Sequence, residues 1–284
     1  MVHQRTIARD VTFSGVGVHS GQRVRLVFRP SDSGRILFRR SDLGGAEAPI
    51  TLDRVESRNS TTLVTERFKV RTVEHALAAL FAFGIQSLVI ELDAEEMPIL
   101  DGSARPFVEA LENAGTRDLD HAAIPLRIMA PIVVRDGDAS VVAEPVEGAC
   151  GVWLSYAIEY SHPAIRTQSL GLMLNPETFA REIAPARTFG FLSDVESLRR
   201  QGLARGASTE NTVILDEVRV VNPPLRFPDE FVRHKLLDLA GDLALIGRPL
   251  SGRFTASRAG HRLHLKLVQA LAARSEDSDR RGMP

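Results

Sequence analysis

A single cysteine, Cys150, stands in this chain of 284 residues, so no intramolecular disulfide, cysteine-cluster zinc site or cysteine-ligated iron-sulfur centre is open to it. A reducing compartment suits that composition. Excess charge is missing too: 35 Lys and Arg face 36 Asp and Glu, and a net charge of -1 gives nucleic acid or an acidic membrane no global attraction. An anionic ligand must then be held by a local cluster. Aromatic residues are only 6% of the chain, which speaks against a base-stacking surface. Nowhere do about 18 uncharged apolar residues run together, so no stable membrane insertion is expected. The opening residues His3, Gln4, Arg5, Arg9 and Asp10 lack the apolar run of a secretory leader. A soluble, cytoplasmic protein with a small partner and no nucleic acid is the expectation.

What is present is average for a globular protein: 44% hydrophobic and 25% charged residues, in a chain long enough for two ordinary domains. Val11 to Phe13, Val24 to Phe28 and Ile36 to Phe38 read as short strands between glycine-rich turns. Thr72 offers an N-cap to a helix over Val73 to Phe83, stopped by Gly84. A strand over Leu88 to Leu92 and a helix over Pro106 to Ala114 follow. After the polar stretch Thr116 to Ala122 the order repeats, with strands over Leu126 to Val134, Ala139 to Glu144 and Gly151 to Tyr156 and helices arriving late. We therefore expect an α+β protein of two domains, residues 1–118 and 124–274, the second carrying a functional insert around 186–222. Residues 275–284 are expected to form a flexible tail. Sheets followed by helices twice over hint at a duplication.

Phe231 to Gly247 reads as one helix. On it His234, Asp238 and Asp242 recur at i, i+4 and i+8 as a polar stripe among Phe, Val, Leu, Ile and Ala. Burying an imidazole and two carboxylates is costly unless they are paired or ligate a metal. Taken alone, the stripe reads more readily as a helix edge with an ion pair. Glu74-His75 lies in a second helix that is apolar nearly all round. A catalytic metal needs three protein ligands and a nearby base, which His75, His234, Asp238 and Glu74 can supply. A satisfied core histidine beside a first-turn carboxylate is the plainer alternative, and spacing leaves both open.

Thr72-Val73-Glu74-His75, Ile99-Leu100-Asp101-Gly102-Ser103, Ala186-Arg187-Thr188-Phe189-Gly190-Phe191, Val232-Arg233-His234-Lys235-Leu236-Leu237-Asp238, Gly241-Asp242 and Gly260-His261 occur in an order and spacing that resemble one family. It is the UDP-3-O-acyl-N-acetylglucosamine deacetylase family of lipid A biosynthesis, and the likeness runs from Gly15 to about Ala272. The resemblance implies two layered α+β domains with the active site at their interface, and removal of the N-acetyl group from an acylated UDP-N-acetylglucosamine. It implies His75, His234 and Asp238 as metal ligands, Glu74 as general base, His261 as general acid and Asp242 as its orienting carboxylate. Thr188 and Lys235 match groups around the reacting carbonyl. Phe191, Arg258, Tyr160, Phe189 and Ser208 match substrate contacts. Imidazole and carboxylate suit Zn2+, with Fe2+ an alternative. We expect a monomer.

The chain departs from the resemblance at Ala207 and Thr209, in the segment where the family builds a passage for the acyl chain, and at His264, where family members usually carry Asn. None of these touches the ligands or the base. A catalytically silent nucleotide-sugar or zinc-binding protein on the same scaffold is the main rival, and intact Glu74 and His261 weigh against it. The glycines of Gly15 to Gly21 are no phosphate loop, because no Gly-Lys-Ser/Thr follows. His19 there is open between a site-lining residue and a turn residue, while His3, His121 and His162 read as surface or structural.

Overall fold

The computed structural model describes residues 3–147 and 151–281, with side chains as far as Arg274, so Cys150 and the last three residues lie outside it. Alternation builds the first sheet: Arg23–Pro30 buries Val24, Leu26 and Phe28 on one face, and Ile36–Arg40 buries Ile36 and Phe38. The strand order is Val11–Val16, Arg23–Pro30, Leu88–Leu92, Ile36–Arg40, Ala46–Pro49. Leu88–Leu92 is thus the last of these five strands in chain order and the central one in the sheet, antiparallel to Arg23–Pro30 and parallel to Ile36–Arg40.

The second sheet repeats this plan. Its order is Ile132–Asp136, Ala139–Glu144, Leu250–Ser257, Val152–Glu159, Thr167–Leu174, and its late central strand, Leu250–Ser257, again runs antiparallel to one hairpin and parallel to the other. In each half a helix precedes the central strand, Glu74–Ala82 or Glu230–Leu243, and another follows it, Arg105–Ala114 or His261–Arg281. The fold is α+β, and the duplication hinted at by element order appears as a shared topology.

The two helices that precede the central strands pack on each other and bury nearly every residue they contain. In the first, no side chain caps the N-terminus. Thr72 is not the N-cap that its hydroxyl invites, because Oγ1 donates instead to Glu96 Oε1 at 3.1 Å. Gly84, in the left-handed region, ends the helix as its position suggests.

Two other segments differ from the sequence reading. Thr116–Ala122, polar along its length, is a strand paired antiparallel with His3–Ile7, with only Leu119 buried. Backbone pairing and the exposed Arg5–Asp118 ion pair substitute there for the apolar alternation that marks a strand. Leu126 to Val134 is two strands, Leu126–Arg127 and Ile132–Asp136, with Pro131 between them. The last helix continues through Ser275 to Arg281.

Within the insert, Phe189–Phe191 pairs in parallel with Val213–Leu215, and the helix Leu192–Arg200 rises between them. The far end of the insert lies on the first half: the amides of Arg205 and Gly206 donate to the carbonyls of His19 and Val18 at 3.1 and 3.0 Å.

Candidate active site

Glu74 and His75 open one of the paired helices, and His234, Asp238 and Asp242 line one side of the other. Their packing brings together groups that are 159 and more residues apart in the chain, as the numbering from His75 to His234 shows. The ligand atoms of His75, His234 and Asp238 all lie within 4.8 Å of one another, and all three residues are buried. The two imidazoles meet edge to face, with centroids 5.0 Å apart.

The donor chemistry of this trio fits a metal. Burial, with the neighbouring His234 adding to it, pushes His75 down to about 3, and burial lowers His234 as well, so both rings are neutral and keep a lone pair for coordination. His234 Nδ1 lies 3.1 Å from the Ala186 carbonyl. That hydrogen bond assigns the proton to Nδ1 and leaves Nε2 as the free donor atom, 3.4 Å from Asp238 Oδ1. Burial works against ionising Asp238, but Lys235 and the surrounding histidines hold its carboxyl far below the usual range. Lys235 Nζ donates to Asp238 Oδ2 at 2.5 Å and is largely buried, so it also orients this carboxylate.

Glu74 is 3% exposed, and burial raises its carboxyl to about 7 against the lowering influence of His261. The Thr61 amide donates to its Oε2 at 3.1 Å. Burial also opposes a charged His261, yet Asp242 and Asp238 outweigh it and lift the imidazole to about 9. His261 Nδ1 lies 2.7 Å from Asp242 Oδ2, and Nε2 lies 3.9 Å from Asp238 Oδ2. The site thus holds a carboxyl and an imidazole that are both raised, so that near neutral pH the carboxyl can be ionised while the imidazole stays protonated.

Asp242, His261 and His264 form a second compact set of candidate metal donors. Its contacts, 2.7 and 2.8 Å from the two Nδ1 atoms to one carboxylate oxygen, are hydrogen bonds that satisfy the groups without an ion.

These side chains face a cavity of about 690 Å³ lined by Glu74, His75, His234, Lys235, Asp238 and His261. Thr188, Phe189, Phe191, Tyr160 and His19 line it too. The Thr188 amide donates to the Gly102 carbonyl at 2.8 Å, which ties the motif around Asp101 to the insert. Asp101 in turn accepts from the Ser103 hydroxyl at 2.7 Å and pairs with Arg226 at 3.0 Å. Tyr160 contacts Phe189 and Phe191 with ring centroids 6.1 Å away in each case.

Two of the expected substrate contacts are not among the cavity walls. Arg258, just past the end of the strand Leu250–Ser257, is engaged by Asp138 and Glu159, and Ser208 turns its hydroxyl to the Glu210 amide. Conversely, sequence reading passed over Thr61, whose hydroxyl donates to Asp242 Oδ1 at 2.5 Å, and the cavity-lining run Arg58, Asn59 and Ser60. The only local signal for them is an unbroken polar stretch, Ser57 to Thr62, between two strand-like segments.

Known proteins resemble the chain along nearly its whole length. Residues 4–273 match the family model described as UDP-3-O-acyl N-acetylglycosamine deacetylase. Proteins named UDP-3-O-acyl-N-acetylglucosamine deacetylase from Myxococcus xanthus and Geotalea uraniireducens are 45% and 41% identical to the chain, covering 94% and 97% of it and 85% and 90% of their own lengths. A Leptospira biflexa protein of the same name is 40% identical over 95% of this chain and 90% of its own. With the family model spanning nearly all of the chain and relatives aligned along almost their whole length, the chain belongs to the UDP-3-O-acyl-N-acetylglycosamine deacetylase family.

Proposed function

We infer that the protein hydrolyses the N-acetyl group of a UDP-3-O-(3-hydroxyacyl)-N-acetylglucosamine, releasing acetate and the free amine, as the committed step of lipid A biosynthesis. The observation that carries this reading is the convergence of His75, His234 and Asp238 with Glu74 and His261 on one cavity. His75, His234 and Asp238 would hold Zn2+, with Fe2+ chemically acceptable to the same donors. Bound there, such a cation supplies Lewis acidity toward an amide carbonyl and a water molecule.

The protein's own groups do the rest. Ionised Glu74 takes a proton from the attacking water, which its place beside His75 and its carboxyl near 7 both favour. Thr188 donates to the developing oxyanion from the cavity wall. His261, still protonated above neutral pH, delivers a proton to the departing amine, and Asp242 keeps that ring charged and oriented. Phe191, Phe189 and Tyr160 offer flat apolar surface for the nucleotide end, and the insert around 186–222 shelters the acyl chain. We read the two repeated sheet-and-helix units as two domains meeting at this site. We place this enzyme in the cytoplasm and take it to act as a monomer; separately, among the described residues no helix is long and apolar enough to cross a membrane.

The test is acetate release from the acylated UDP-sugar by the purified protein, with metal analysis and a chelator control. Metal-loaded protein that binds the substrate without releasing acetate would instead support the silent-binder reading.

A further inference from the structure

Asp242 does not serve His261 alone. His264 is completely buried, three residues along the same helix, and its Nδ1 lies 2.8 Å from the same Oδ2 that His261 approaches. Its other ring nitrogen, Nε2, lies 3.0 Å from the hydroxyl of Tyr156, which is 1% exposed in the middle of the second sheet. An ionised carboxylate can only accept, so both imidazoles donate to Asp242 from Nδ1. A neutral His264 must then accept at Nε2, and Tyr156 must donate. Burial lowers His264 and raises Tyr156 from their ordinary values, which keeps both neutral and supports this direction of bonding. With Thr61 on Oδ1, three donors grip Asp242. Its carboxylate has no freedom to rotate away from His261.

We propose that His264, oriented by Tyr156, is a positioning residue that locks Asp242 and, through it, the ring of His261 facing the cavity. Its effect on turnover rests on the deacetylase reading, whereas the bonding pattern does not. An asparagine at position 264 offers an amide donor to Asp242 but no ring to span to Tyr156. The second sheet is thereby wired into the site in a way that a shorter side chain does not reproduce.

The experiment measures ring 15N shifts of His264 in the metal-loaded protein, and kcat, KM and metal content for His264→Leu, His264→Asn and Tyr156→Phe. We expect the Nδ1–H tautomer in the unsubstituted protein, retained in Tyr156→Phe because Asp242 still accepts from Nδ1, with the Nε2 resonance displaced there by loss of its hydroxyl donor. His264→Leu should lose about 10- to 100-fold in kcat with KM and metal content unchanged, and His264→Asn should recover most of that loss. If His264→Leu fails to fold, Tyr156→Phe, which removes one oxygen, carries the comparison with a smaller loss in kcat. An Nε2–H tautomer in the unsubstituted protein, an undiminished kcat in His264→Leu and Tyr156→Phe, or a second metal equivalent lost on His264 substitution would each overturn the proposal. Absence of acetate release by the unsubstituted protein would sink the deacetylase reading, while the tautomer measurement would still decide the bonding pattern.

Discussion

Gly241 lies against the backbone of Glu74, so close that a Cβ placed there would run into the Glu74 carbonyl. That contact sets the separation of the two helices that carry Glu74, His75, His234 and Asp238. Gly241→Ala should therefore push the helices apart, costing about 1–3 kcal/mol of stability as an overpacked core does. Metal affinity should fall with it. Thermal unfolding and metal titration of the variant check both, and an alanine accepted with unchanged metal binding would mean that this spacing does not govern the site.

Replacing any one of His75, His234 or Asp238 with Ala should lower metal content and activity together, since three protein ligands are the working set of a catalytic site. Elemental analysis after dialysis reads the first and acetate release the second. Full metal occupancy in all three variants would remove the assignment.

Glu74→Gln and His261→Ala should keep their metal yet lose rate, by about 10²- to 10⁴-fold for each group. The contrast with the ligand variants is the informative part: loss of activity without loss of metal separates proton transfer from coordination.

Activity should be bell-shaped in pH. Glu74 must be ionised, so the acidic limb of kcat/KM should fall at or below about 7, a bound cation drawing it lower. His261 must be protonated, so the basic limb should lie near 9. Removing the Asp242 charge disfavours the imidazolium, and Asp242→Asn should move the basic limb to lower pH. A basic limb unmoved by that substitution would point to another proton donor.

Glu230 is buried and accepts from the Arg187 guanidinium at 2.9 Å and from the amides of Arg187 and Arg226 at 3.0 and 2.7 Å. Glu230→Ala strands Arg187 in the interior and should cost about 3–5 kcal/mol, read from the urea midpoint. Because Arg187 follows the Ala186 carbonyl that orients His234, metal affinity should weaken as well.

Much of the site was legible because its signals are local. The His234, Asp238 and Asp242 stripe follows from helical periodicity, and the burial of that helix from the apolar residues around the stripe. Glu74-His75 was legible in the same way, as a polar pair in an apolar helix. Several strands were visible as β-branched runs, but Thr116–Ala122 was not, since an exposed ribbon needs a partner strand more than an apolar face. Sequence spacing alone left the metal reading open beside a core histidine, and only the family resemblance tipped it.

Tertiary structure decided everything that depends on segments far apart in the chain meeting. Thr61 reaches Asp242 across 181 residues of chain, and Tyr156 reaches His264 across 108. No periodicity encodes such contacts, because they are set by how two helices and two sheets pack. Residue types determined what each group can do: an imidazole can ligate or carry a proton, and a carboxylate can accept one. Packing determined which protonation state each group favours: burial lifts Glu74 to about 7 and keeps His75 neutral with a lone pair available, while Asp242 and Asp238 overcome burial and lift His261 to about 9.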